Sequence, residues 1–184
     1  MGKLNFTKTN IEGVYIIEPQ VFGDGRGYFV ETYNKNDFTE IGLDIDFVQD
    51  NQSKSSKGVL RGLHYQINHS QTKLVRVLSG EVYDVAVDLR KGSKTYGKYI
   101  GVVLSGENHK QLLIPKGFAH GFLVLSDEAI FAYKVDDFYY PNDEGGIIWN
   151  DPDIDIKWPQ SKDIVLSEKD KLNPRLKDIE SPFK

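Results

Sequence analysis

The chain has 184 residues, 39% hydrophobic and 27% charged, which excludes a disordered polymer and fits one domain able to bury its own core. It has no cysteine, which excludes disulfides, thiolate nucleophiles and thiolate zinc sites. A net charge of −4 argues against a general nucleic-acid binder, and no apolar run approaches the roughly 18 residues of a membrane span.

In chain order, the opening residues 1–6 lack the apolar core of a signal peptide. Phe6 stands where a myristoylation site needs Ser or Thr, so a cytoplasmic protein is expected. Strands are predicted at Val14–Ile17, Gly27–Tyr33, Val82–Leu89, Tyr99–Leu104 and Ile130–Val135, all rich in β-branched and aromatic residues. Gly23–Gly27 superficially resembles a phosphate loop but lacks a strand-to-helix context, so it reads as a hairpin turn. A short helix is predicted over Lys35–Ile41 with Asn34 as cap, and a helical turn at Ser167–Asp170. Arg61-Gly62-Leu63-His64-Tyr65-Gln66 and Lys73-Leu74-Val75-Arg76 read as neighbouring β-strands. A second histidine, His120, follows the Pro115–Gly117 turn, and the polar tail after Trp158 is expected to wrap the surface. Short strands at close turn spacing make residues 1–184 a single all-β domain, a sandwich or barrel with a few short helices.

Strand parity sorts the side chains by face. His64 goes with Gly62 and Gln66, Lys73 with Val75 and Val77, His120 with Phe122 and Val124, and Tyr133 with Phe131 and Val135. These polar groups sit among apolar or small neighbours, as expected of side chains projecting into a barrel. Arg61 has the wrong parity and must act from a strand end or bulge. Lysine is uncommon inside a strand, which singles out Lys73. Asp84 and Asp88 fit either the solvated face of an edge strand or carboxylate partners of the cations. The chain has five arginines against eighteen lysines; Arg26 and Arg61 in turn-like contexts suit bidentate phosphate contact, although an ordinary surface role fits each alone.

A metal site is disfavoured by the residue types. Metal-binding cupins carry two histidines one residue apart, a downstream glutamate and a third histidine after a Pro-x-Gly turn. Here Gln66 stands at the second histidine, and Lys73 falls near the glutamate position, where an ammonium repels a divalent cation.

Gly58–Gln66, Lys73–Val77, Gly80–Arg90, Ile114–Phe122, Tyr133-Lys134, Glu144–Asp151 and Ser167–Asp170 together resemble the dTDP-4-dehydrorhamnose 3,5-epimerase family, as do Val21–Phe29 and Phe47–Asn51. The resemblance covers nearly the whole chain in order. It implies a cupin-type jelly-roll β-barrel that needs no metal and no cofactor. It also implies a homodimer in which an N-terminal segment of one subunit joins the other's sheet. The implied substrate is a dTDP-linked 4-keto-6-deoxyhexose, epimerised at C3 and C5 in dTDP-L-rhamnose synthesis. His64 would be the base, Tyr133 the acid, Asp170 the partner of His64, and Lys73 the group neutralising the enolate. Arg26, Glu31, Gln49, Asn51, Arg61, His120, Glu144 and Lys169 match positions that contact nucleotide, phosphate or sugar. Tyr28, Tyr139 and Tyr140 fall near where the thymine is stacked. Three rivals remain: a mono-epimerase or keto-isomerase on a related nucleotide sugar, a non-enzymatic sugar-nucleotide binder, and a metal-dependent cupin oxygenase.

Overall fold

The computed structural model describes residues 3–159 and 162–184. Met1 and Gly2, part of the segment read for a leader, lie outside the described residues. The strands in chain order are β1 (Leu4–Lys8), β2 (Tyr15–Pro19), β3 (Val21–Asp24), β4 (Gly27–Val30), β5 (Gln49–Ser56), β6 (Leu60–Gln66) and β7 (Lys73–Ser79). Then follow β8 (Glu81–Asp88), β9 (Tyr99–Ser105), β10 (Gln111–Ile114), β11 (Phe118–Val124), β12 (Glu128–Val135) and β13 (Glu144–Gly146). Two short helices, α1 (Lys35–Glu40) and α2 (Glu168–Lys171), have the predicted caps: Asn34 accepts from the Asn36 N–H and Ser167 from the Asp170 N–H. Among the described residues no helix is long and apolar enough to cross a membrane.

The pairings within the sheets are antiparallel. A six-stranded sheet runs β1-β2-β10-β7-β12-β5 and a five-stranded sheet runs β13-β6-β11-β8-β9, while β3 and β4 form a separate hairpin. The two large sheets face each other as a cupin-type jelly roll. Alternation sends Val75, Val77, Val82, Ala86, Phe122, Val124 and Phe131 between them, into one central core. Strand β8 is nevertheless buried almost throughout, because its outer face is covered as well. There Val85, Val87, Leu63 and Tyr65 meet Ile154, Ile156, Leu176 and Phe183 from the C-terminal segment. On the opposite side Phe38 of α1, 1% exposed, packs with Leu4, Ile17, Leu74 and Leu113. Burying a phenylalanine in this way contributes roughly 1.5–3 kcal/mol.

Two expectations change. β1 precedes the first predicted strand; its apolar positions Leu4 and Phe6 alternate too briefly to stand out. β6 and β7, read as neighbours, lie in opposite sheets. The six-residue loop between them crosses the barrel, so His64 and Lys73 face each other over its interior. The tail does wrap the surface, held by apolar anchors and by the Ser181 hydroxyl donating to the Leu89 carbonyl at 2.5 Å.

Candidate active site

Between the sheets opens a cavity of about 640 Å³ lined by Asn51, Arg61, His64, Lys73, His120, Tyr133 and Asp170 among others. Its apolar wall is the Phe122–Phe131 pair, stacked at 4.1 Å.

Arg61 reaches it by the route its parity required. Between the pairs His120↔His64 and Phe122↔Arg61, β6 carries one residue more than β11, a bulge that turns Arg61 onto the His64 face. The bulge needs two glycines. Gly62 has φ +118, and a Cβ there would lie 2.6 Å from the Gly121 Cα; one on Gly121 would lie 2.6 Å from the Arg61 carbonyl. Arg61 Nε donates to Ser55 Oγ at 3.0 Å, which aims the guanidinium along β5.

His64 Nε2 lies 2.5 Å from Asp170 Oδ1, across 106 positions of sequence. The tail is docked for this contact by a parallel bridge between Val59 and Val165: Leu60 N–H donates to the Val165 carbonyl, and Val165 N–H to the Gly58 carbonyl. From there α2 sets Asp170 beside β6. Burial alone would raise the Asp170 pKa, but the bond and charge of His64, with the Ser167 hydroxyl and Gly62 N–H, hold it below the usual carboxylate range. The His64 side chain is 33% exposed and opens on the cavity, whereas Asp170 is 4% exposed.

Lys73, half-buried at the start of β7, lines the cavity from the opposite sheet. Burial pulls its pKa down to about 8, against the through-space pull of Asp84 and Glu144. Tyr133 is shifted up by burial, with Tyr139 and Glu144 adding and Arg61 opposing, so its hydroxyl stays protonated near neutrality. His120 Nε2 meets Asp84 at 2.9 and 3.1 Å, with Asp84 wholly buried. This settles the open reading of Asp84 in favour of a partner. Asp88 is instead a loop anchor, accepting from Arg90, Ser93 and Thr95.

Around the mouth, Gln49 Nε2 donates to Asn51 Oδ1 at 2.9 Å, Lys169 Nζ pairs with Glu144, and Tyr139 bonds Glu144. Tyr140 is stacked on His69 at 3.8 Å. Gln49, Glu144, Lys169 and Tyr140 thus border the cavity without lining it. Arg26 and Glu31 are not brought to it. Arg26 pairs with Asp24 at the tip of the exposed β3–β4 hairpin, Glu31 accepts from Asn34, and Tyr28 rests on His109. Ser53, Val165 and Leu166 line the cavity without having been singled out. Ser53 had no legible signal, because every residue of β5 from Gln49 to Ser56 is polar and only the alternating exposure of the folded strand picks out its inner face. Among the described residues no group of three or more His, Asp or Glu is placed to hold a metal ion.

Residues 8–178 match the dTDP-4-dehydrorhamnose 3,5-epimerase family. The dTDP-4-dehydrorhamnose 3,5-epimerase of Methanothermobacter thermautotrophicus is 56% identical over 173 residues, covering 93% of this chain and 94% of that protein. The crystal structure of dTDP-6-deoxy-D-glucose-3,5-epimerase from Legionella pneumophila, in complex with dTDP-4-keto-L-rhamnose, is 52% identical with a TM-score of 0.94, covering 96% of this chain and 95% of that one. A 3'-monoepimerase from Streptomyces bikiniensis, a double mutant in complex with dTDP, is more distant at 32% identity and TM-score 0.88, covering 93% and 87%. With the jelly roll, the cavity and these relatives in agreement, the chain belongs to the dTDP-4-dehydrorhamnose 3,5-epimerase family, and it is an isomerase.

Proposed function

We infer that residues 1–184 act as one cupin-like epimerase domain that converts dTDP-4-dehydro-6-deoxy-D-glucose to dTDP-4-dehydro-L-rhamnose, inverting C3 and C5, in dTDP-L-rhamnose synthesis. The observation that carries this is the His64–Asp170 pair opening onto the same cavity as Lys73 and Tyr133.

The protons on C3 and C5 both flank the C4 ketone. Removing either leaves an enolate whose charge gathers on one oxygen, so one cation serves both inversions. His64 takes the carbon-bound proton, and Asp170 holds the ring and stabilises the imidazolium. Lys73 faces the C4 oxygen and offsets the developing charge, a contact of the kind worth roughly 3–4 kcal/mol. The Tyr133 hydroxyl returns a proton to the opposite face of the carbon, which inversion requires, and regains one from solvent. The ketone is itself the electron sink, so the reaction needs no cofactor or metal. Arg61 with Asn51, Gln49, His120, Glu144 and Lys169 holds the sugar and diphosphate, remote binding that orients the reacting carbons. One of the exposed tyrosines Tyr28, Tyr139 and Tyr140 stacks on the thymine.

Arg26 and Glu31 enter the same reading through a homodimer with an exchanged N-terminal segment. Two features support it: the β3–β4 hairpin exposes Phe22, Tyr28 and Phe29, and β5 has a strand neighbour on one side only. A partner's hairpin on the free edge of β5 would bring its arginine to the cavity from outside.

The test is NMR of dTDP-4-keto-6-deoxyglucose with the protein in D2O. Deuterium entering at both C3 and C5 is expected. Exchange at C3 alone would replace the double epimerase with a mono-epimerase. Tight dTDP binding without exchange would leave only a binding module.

A further inference from the structure

Gln66 lies two residues past His64 on β6, at the position where metal cupins carry their second histidine, yet it does not line the cavity. Its amide is committed to the main chain of the mouth. Nε2 donates to the carbonyls of His69 at 2.7 Å and Phe138 at 3.0 Å, and Oε1 accepts from the Tyr140 N–H at 2.7 Å. Both amide protons are thereby used on a side chain only 5% exposed. Further contacts act on the same segment. Gln71 Nε2 donates to the carbonyls of Asp137 and Phe138 at 2.9 and 3.2 Å, and the Tyr139 N–H donates to Gln49 Oε1 at 3.2 Å. The His69 ring stacks on Tyr140. Phe138, Tyr139 and Tyr140 are all large and exposed, a run with little packing to hold it in place. Their order comes from side chains beneath them, and of these Gln66 alone reaches both ends of the arch.

We propose that Gln66 is a positioning residue. It fixes the Phe138–Tyr140 arch at the cavity mouth and so sets affinity for the aromatic base of the nucleotide, without taking part in proton transfer. The inference rests on the nucleotide-sugar reading above. Gln66→Glu keeps the shape of the side chain but turns a carboxylate onto two carbonyls that need donors. Gln66→Met keeps the volume and removes all three bonds.

Affinity for dTDP by titration calorimetry, and kcat and KM from the deuterium-exchange reaction, separate the roles. Both variants should weaken dTDP binding and raise KM about tenfold, the order of one stacked base, with kcat within about threefold of the parent. Tyr140→Ala should weaken binding by a similar factor, and adding Gln66→Met to it should cost little more, because both act through one arch. If Gln66→Glu fails to fold, Gln66→Met carries the test. Gln71→Ala, at a half-exposed side chain serving the same carbonyls, should show the same split more weakly. An unchanged dTDP affinity in folded variants would overturn the inference while leaving the nucleotide reading intact. So would a loss of kcat at constant KM, or full additivity with Tyr140→Ala. Failure of the parent protein to bind dTDP would overturn both.

Discussion

Two histidines on adjacent strands, His64 and His120, each pair with an aspartate, and the two pairs differ in how they are built and how far they open. His64 and His120 are direct partners across the β6–β11 ladder. His120 takes its carboxylate from Asp84 on the next strand of the same sheet, and the pair is nearly closed to solvent, with side chains 8% and 0% exposed. His64 takes Asp170 from a tail segment 106 positions away and leaves a third of its ring facing the cavity. A carboxylate partner is common to both, and the difference lies in access: His64 opens its ring on the cavity, as the proposed base must, whereas His120 is held in the wall.

The sharpest way to break this contrast is to exchange each ring for an amide. His64→Asn should lower deuterium exchange at both carbons by about 10⁴-fold, the upper range for general-base catalysis, with dTDP affinity within about threefold. His120→Asn should cost less than about 10²-fold and show chiefly as weaker substrate binding. Equal losses would show that the open and closed pairs share the chemistry. The carboxylates should follow the same order. Asp170→Asn should cost about 10³-fold in kcat, since an amide cannot stabilise the imidazolium. Asp84→Asn should instead lower the thermal midpoint, because it leaves a buried histidine without its charged partner.

How much of this contrast the chain reveals depends on the range of the contacts. Lys73, His120 and Tyr133 were legible because alternation puts each on a strand face with apolar neighbours, and His64 because it shares its face with a glycine; a two-residue period survives without knowledge of the partner strands. Asp170 was not legible from pattern. Its approach to His64 depends on the Val59–Val165 bridge, a pairing between distant segments with no local periodicity. The sheet assignment of β6 and β7 failed for a related reason: a loop of residues 67–72 is long enough either to turn back as a hairpin or to cross the barrel, and only the packing of both faces decides. Arg61 lay between these cases. Its wrong parity pointed to a bulge, and the glycines at 62 and 121 are what let the two strands come close enough to form it.

Lys73 sharpens the comparison from the opposite sheet. Lys73→Met should reduce exchange by about 10²–10³-fold with little change in dTDP affinity, since the enolate charge exists only in the transition state and intermediate. The parent enzyme should also show an alkaline limb in kcat/KM near the pKa of about 8 to which burial lowers Lys73, where the ammonium is lost. Lys73→Arg keeps the charge and should move that limb to higher pH even if the rate falls. An unmoved limb would assign it to another group.

The smallest effect concerns a third buried carboxylate whose partners all lie in its own loop. Asp88 is fully buried at the end of β8 and accepts from Arg90, Ser93 and Thr95. Burial pushes its pKa up, but those bonds prevail and hold it at about 2, below the ordinary 3.8. Because the folded value is the lower one, ionised Asp88 stabilises the fold fully above pH 3.8, and that stabilisation is lost as pH falls through about 2. The shift corresponds to about 2 kcal/mol. Asp88→Asn should therefore be less stable than the parent by about that amount at pH 7, and the gap measured by urea unfolding should close between pH 4 and pH 2. A gap that persists unchanged to pH 2 would mean that Asp88 acts through shape and neutral hydrogen bonds. Its charge would then not distinguish it from the asparagine, and the difference between a saturated structural carboxylate and the one serving His64 would lie in position alone.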